Sequence, residues 1–265
     1  MNGVWRKIEV GALAGVVIAA ALLLLLSSDD SSPDAPATAR ANEKPEAIAR
    51  PPAEETPAER GRLAIPDRGH PLIGVRRGHT VEIHSSPGGP VAQKVGDETE
   101  FGSSRVFSVE RTKGRWAGVP NPFTGNGSLG WIRLDSRDLR SGYTERSIVV
   151  DLSDFRAQLL RGDRVVRTFT VAIGAPGTDT PTGRFAVTDT FRGDLNPAYG
   201  CCAVALTAVQ PNLDSGWIGG DRIAIHGTAG PLGAAISHGC VRAADRDVSA
   251  LVNAVPPGTP VTVKQ

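Results

Sequence analysis

Three side chains able to attack a carbonyl or move a proton, His226, His238 and Cys240, fall within RIAIHGTAGPLGAAISHGCVRA (222–243), in a chain that holds only five His and three Cys. A cysteine thiolate is a strong nucleophile toward an acyl carbon, and an imidazole is the side chain best matched to take the thiol proton near neutral pH. Gly239, next to Cys240, takes no space beside the sulfur, so a substrate carbonyl has room to approach. Backbone N–H groups at Gly239 and Cys240 can then receive the developing oxyanion. Two other readings compete with this one. A zinc site wants four ligands, usually with a C-x2–4-C or H-x3–5-H pair, whereas His238 and Cys240 are separated by one residue and Cys201 and Cys202 by none. A packed interior, with a small apolar Cys and two hydrogen-bonded His, fits the spacing as well.

The elements that must hold these residues are legible in the flanking pattern. RIAIH alternates, which predicts a strand ending at His226, with its imidazole on the face opposite Ile223 and Ile225. Val248, Leu251, Val252 and Val255 follow helix spacing, so a helix is expected from Asp245, capped by that residue and stopped by Pro256-Pro257-Gly258. Its positive end, lying soon after Cys240, would favour the thiolate, as would a protonated His nearby. SIVVDLSD, AQLLR, RVVRTFTVAIG and GRFAVTDTF read as strands, with a hairpin turn at Gly162-Asp163, and TPVTVKQ closes the chain as another. The expected architecture from residue 145 to 265 is therefore mainly β with few helices.

Upstream, the chain changes character three times. Residues 1–7 hold Arg6 and Lys7, and Val10 to Leu26 are uncharged and apolar or Gly, enough to cross a bilayer as a helix. The charge bias places residues 1–7 in the cytoplasm, makes 8–26 a single-pass transmembrane anchor and exports the remainder; a cleaved signal peptide ending at Ala37-Thr38-Ala39 is the competing reading. Residues 27–65, rich in Pro, Ala and charge without apolar periodicity, read as a disordered linker. Residues 66–142 carry short strands broken by turns (HTVEIH, RVFSVER, GRWAGVP, GWIRL), the pattern of a small barrel with Trp116 and Trp131 in its core, the other reading being that they line a groove for a peptide or glycan. With 29 basic against 28 acidic residues, no field strong enough to recruit nucleic acid is present.

HGTAGPLGAAISHGCVR resembles the signature of the L,D-transpeptidases of bacterial peptidoglycan, the YkuD family, in which a His is followed after a variable loop by Ser/Thr-His-Gly-Cys-x-Arg/Asn; TPTGRF (180–185) matches a second family stretch. The resemblance covers roughly residues 145–265 and implies a β-sandwich catalytic domain. Residues 66–142 are similar to the SH3-like modules found beside cell-wall enzymes. The family pattern makes Cys240 the nucleophile and His226 the general base, with its second ring nitrogen held by a carbonyl near Gly227. Ser237, His238 and Gly239 would shape the site, and Arg242 would meet a stem-peptide carboxylate or pin the loop. The implied reaction is attack on the amide between the third residue of a stem tetrapeptide and its terminal D-Ala. D-Ala is released from a thioester, which an amine of a second stem converts into a 3→3 cross-link. Hydrolysis (an L,D-carboxypeptidase) and transfer to a protein amine are variants of this chemistry. Carbapenem-type β-lactams are implied inhibitors, and neither cofactor nor metal is called for. A non-catalytic wall-binding protein and an exported thiol redox protein are the alternatives from other classes, though the latter wants a C-x-x-C that is absent. Cys201 and Cys202 stand outside the motif and are expected as free, buried thiols, a bridge between them or to Cys240 being the other arrangements. PAYGCC and Trp217 are expected to border the donor groove.

Overall fold

The computed structural model describes residues 61–213 and 220–265. The expected anchor at 8–26, most of the linker and Trp217 lie outside those residues. Among the described residues, no helix is long and apolar enough to cross a membrane.

Two hydrophobic cores organise the described chain. The first is enclosed by eight short strands: β1 (His70–Val75), β2 (Thr80–His84), β3 (Val91–Gly96), β4 (Val106–Ser108), β5 (Arg111–Lys113), β6 (Trp116–Pro120), β7 (Leu129–Arg133) and β8 (Leu139–Thr144). They form two antiparallel sheets, ordered β4-β1-β8 and β3-β2-β7-β6-β5. Alternation decides what goes inside: in β2, Val81 and Ile83 are buried while Thr80 and Glu82 face out. They meet Ile73, Phe107, Val119, Ile132 and Leu139. Two expectations fail here. Leu63 and Ile65, assigned to the linker, pack against this core, and the Leu63 N–H donates to Leu134 O; an apolar pair at the linker end gains more by burial than it loses in chain entropy. Trp116 and Trp131 are only half-buried and stand outside the core. Trp131 lies between inward-facing neighbours in β7, so the pleat turns it outward; Trp116 instead packs edge-on against His84, with Arg133 over its ring.

The second core lies within a nine-strand sheet built from β9 (Arg146–Asp151), β10 (Arg156–Arg161), β11 (Arg164–Gly174), β12 (Gly183–Arg192), β13 (Cys202–Val209), β14 (Arg222–Thr228), β15 (Ala235–Ser237), β16 (Val241–Ala244) and β17 (Pro260–Lys264). The order is β10-β9-β17-β12-β13-β14-β16-β11-β15, and a further β10–β11 pairing closes the sheet on itself. The layers expected of a sandwich are thus the opposing walls of one folded sheet, filled by residues such as Ile148, Phe185, Leu206, Ile225 and Val241. Alongside one short 3-10 turn, Pro197–Tyr199, the one α-helix of the described residues, α1 (Asp245–Ala254), lays Val248, Leu251 and Val252 against β13 and β14.

Asp245 does not cap α1. Ala244 holds the cap position without a side-chain bond. The Asp245 carboxylate turns instead to the Cys201 N–H, at 3.2 Å. The close approach of Gly227 and Gly200 to the carboxylate permits this, since a Cβ on either glycine would collide with Asp245 Oδ1.

Candidate active site

β14 and β16 run parallel, pairing Ile225 with Val241 and His226 with Arg242. Extending that register by one residue sets Cys240 opposite Ala224. Side chains two apart on a strand share a face, so His226, Cys240 and Arg242 lie on one side of these two strands while Ile223 and Ile225 enter the core on the other. The sequence pattern anticipated that split, although β14 runs on to Thr228 rather than stopping at the histidine.

His226 is buried, and its Nδ1 lies 2.9 Å from Gly227 O. A carbonyl can only accept, so Nδ1 carries the proton and Nε2 keeps its lone pair. Tyr199 packs edge-on against the imidazole, with ring centroids 5.0 Å apart. Desolvation holds the His226 pKa below its ordinary value; the Gly227 bond opposes the shift and the Arg242 charge adds to it. Burial pushes the Cys240 thiol up, against the opposing pulls of the Ala224 N–H and Arg242. The thiolate expected from the helix end is therefore not the resting form: the whole of β16 separates Cys240 from α1, and a helix terminus acts only over its first turn.

The loop carrying Cys240 is fixed through its carbonyls. Ser237 O accepts from Ala175 N (2.8 Å) and Thr178 Oγ1 (3.1 Å), and His238 O accepts from Gln210 Nε2 (3.3 Å). Gly239 O accepts from Thr180 Oγ1 (2.8 Å), and Cys240 O from Ser237 Oγ (2.6 Å). Because N–H and C=O point oppositely across a trans peptide, the bond from Thr180 to Gly239 O leaves the Cys240 N–H pointing away from Thr180. The Gly239 N–H is already engaged by Ser237 Oγ at 3.1 Å.

The space freed by Gly239 is not open to substrate. A Cβ there would collide with Gln210 Nε2 and fall 2.9 Å from Ile223 Cδ1, and the residue's φ of +110° also demands glycine. Gln210, buried at the end of β13, also donates to Thr178 O and Asp179 O. It is a structural hub that no local sequence signal marks, since its partners lie some thirty residues away on either side. Thr180 was visible in TPTGRF, but not its task of joining the Gly174 N–H to Gly239 O.

The other site candidates divide. Arg242 acts electrostatically on both His226 and Cys240, and its Nε is buried without a hydrogen-bond partner. Cys201 and Cys202 are joined by a disulfide, against the expectation of free thiols. The passage from turn to strand at these residues brings both sulfurs to the Asp245 carbonyl oxygen, at 3.4 and 4.0 Å, instead of to opposite faces. Of PAYGCC, Tyr199 reaches the site. Among the described residues, no group of three or more His, Cys, Asp or Glu is assembled to hold a metal ion.

Residues 145–263 match the family model of the L,D-transpeptidase catalytic domain, YkuD. This unit is a YkuD-family domain. A Bacillus licheniformis protein named for L,D-transpeptidase YkuD is 32% identical over 118 residues, which take in 44% of this chain and 64% of that protein. A Bacillus subtilis protein of the same name is 32% identical over 120 residues, 44% of this chain and 65% of its own length. The chain thus spans just under two thirds of the length of either relative, and the matched part in each case is the size of the YkuD domain alone. A solved structure of L,D-transpeptidase 3 from Mycobacterium tuberculosis, in complex with a faropenem-derived adduct, is 19% identical, with 56% of this chain and 72% of that chain covered and a TM-score of 0.40.

Proposed function

We propose that this chain is a peptidoglycan L,D-transpeptidase in which Cys240 is the nucleophile and His226 the general base. The observation that carries the assignment is the pair of adjacent parallel strands presenting both residues on one face, with the proton of His226 committed to Gly227 O. Nε2 takes the thiol proton as sulfur attacks the carbonyl of the third stem residue. The tetrahedral oxyanion is received by the Cys240 N–H. Collapse breaks the amide bond, His226 returns the proton to the departing D-Ala amine, and a thioester remains. An amine of a second stem then attacks, its proton passing to Nε2, and the 3→3 cross-link leaves as the thiol is restored. Ser237 shapes the loop through its two hydrogen bonds, and His238 contributes its carbonyl to the same scaffold. Arg242 is assigned to a stem carboxylate, which would satisfy its unpartnered Nε. We also assign residues 8–26 to a membrane anchor, 27–60 to the spacer holding the enzyme at the wall, and 66–142 to an SH3-like module.

A strained β-lactam carbonyl is an alternative electrophile for the same thiol. Intact mass spectrometry of the full-length protein with a carbapenem is expected to show one covalent adduct. The adduct should be lost in Cys240→Ala and formed about 10²- to 10⁴-fold more slowly in His226→Ala. Incubation with a stem tetrapeptide should then yield cross-linked dimer in preference to free tripeptide. An unmodified, folded and reduced wild type would sink the enzymatic reading and favour a wall-binding role.

A further inference from the structure

We propose that Asn126, which belongs to the N-terminal core's 121–128 loop, is a positioning residue for the Cys240 loop; the inference rests on the assignment of Cys240 as nucleophile. Asn126 lies 83 residues from its partner yet uses its whole amide on one residue: Nδ2 donates to Val209 O at 2.6 Å and Oδ1 accepts from Val209 N at 3.0 Å. That is the pairing of a neighbouring β-strand, supplied by a side chain.

Val209 needs such a partner. The β13–β14 ladder steps from Ala205↔Ala224 to Val209↔Arg222, so four residues of β13 are matched against two of β14. Past this step the ladder resumes at Val209, the Gln210 N–H donating to Asp221 O at 2.7 Å, so the N–H and C=O of Val209 itself point away from β14 and meet Asn126; backbone groups left unpaired in a partly buried place are costly. The next residue is Gln210, whose Nε2 faces the carbonyls of Thr178, Asp179 and His238 and fills the space beside Gly239. The main chain at 209–210 is thus held on one side by the Gln210 N–H bond to Asp221 O and on the other by Asn126, and it carries the side chain that supports the peptide before the nucleophile.

The 121–128 loop is built to hold that position. Asn121, itself buried, accepts from the N–H groups of Phe123 and Thr124 at 2.9 and 3.1 Å and donates to Thr124 Oγ1 at 2.9 Å. Ser128 N closes a turn on Gly125 O. Asn126 is thus presented from a pre-organised turn, not from a side chain free to wander.

The consequence is specific to reactions that develop an oxyanion. Acylation by a carbapenem needs the Cys240 N–H in place; alkylation by iodoacetamide displaces iodide at a saturated carbon and does not. Both rates should be measured on full-length wild type, Asn126→Ala and Asn126→Asp, the last of which keeps the acceptor and loses the donor. The expected result is carbapenem acylation slowed about tenfold to a hundredfold in Asn126→Ala, alkylation within about twofold of wild type, and Asn126→Asp in between. The ratio of the two rates is read in whichever variant retains the wild-type circular dichroism spectrum. A ratio equal to that of wild type in a folded variant overturns the proposal, leaving Asn126 as adhesive between the two cores. Failure of wild type itself to acylate would instead overturn the assignment of Cys240.

Discussion

Burial drives both side chains of the proposed catalytic pair toward their uncharged forms: His226 gives up protons more readily than an ordinary imidazole, and Cys240 holds its proton more tightly than an ordinary thiol. At neutral pH the resting pair is therefore thiol and neutral imidazole, and the proton must move as the substrate arrives. The pH dependence follows in sign. A base with a lowered pKa loses its free Nε2 only below pH 6.5, so carbapenem acylation should hold its rate down to that point before its acid limb begins. Iodoacetamide, which reports thiolate alone, should react ever faster past pH 9.0. A stopped-flow alkylation profile that is already flat from neutral pH upward would point to a preformed thiolate–imidazolium pair instead.

At the scale of elements, the site depends on a segment that touches neither reactant. The turn at 175–182 sits over Gly174, where a Cβ would collide with Thr178 O, and delivers Thr180 into a bridge between Gly174 N and Gly239 O. Thr180→Val keeps the shape and removes both bonds, leaving a buried donor and a buried acceptor without partners. Urea denaturation should show a loss of about 1–3 kcal/mol, with slower carbapenem acylation because the peptide before Cys240 is no longer oriented. Thr180→Ser should restore most of both. The TPTGRF stretch was thus legible as a motif, and Val248, Leu251 and Val252 as a helix face. The Thr180 bridge was not legible, because it closes over 59 residues and depends on β11 and the Cys240 loop being adjacent.

On the whole-molecule scale, the two cores are joined by polar contacts as well as apolar ones. Thr99 Oγ1 donates to the fully buried Asp189, Arg222 pairs with Glu100, and Phe101 packs edge-on against Phe191. Asp189 Oδ2 has no hydrogen-bond partner, so its carboxylate relies on Thr99 and on the nearby charges of Arg105 and Arg222. Replacing Thr99 by Val removes that hydrogen bond and should cost about 1–3 kcal/mol. In calorimetry this would appear as a lower melting temperature for the YkuD domain, although Thr99 belongs to the other core. An unchanged transition would mean that water or a shifted arginine takes over the carboxylate.

The strands read from alternation, the helix at 245–254 and the clustering of Cys240 with His226 were determined by the sequence itself, because alternation, helix spacing and a rare cluster of reactive side chains are local properties. Tertiary structure alone decided which residues surround that pair. Gln210, Thr180 and Tyr199 reach the site from separate strands and turns; TPTGRF and PAYGCC marked the segments of the last two but not their contacts, and nothing local marks Gln210. The protonation of His226 and Cys240, the turning of Asp245 from helix cap to Cys201, and the joining of the two adjacent cysteines likewise follow from which atoms are brought together out of water. Local pattern fixes what a segment becomes; desolvation and hydrogen bonding across long sequence distances fix what its side chains can do.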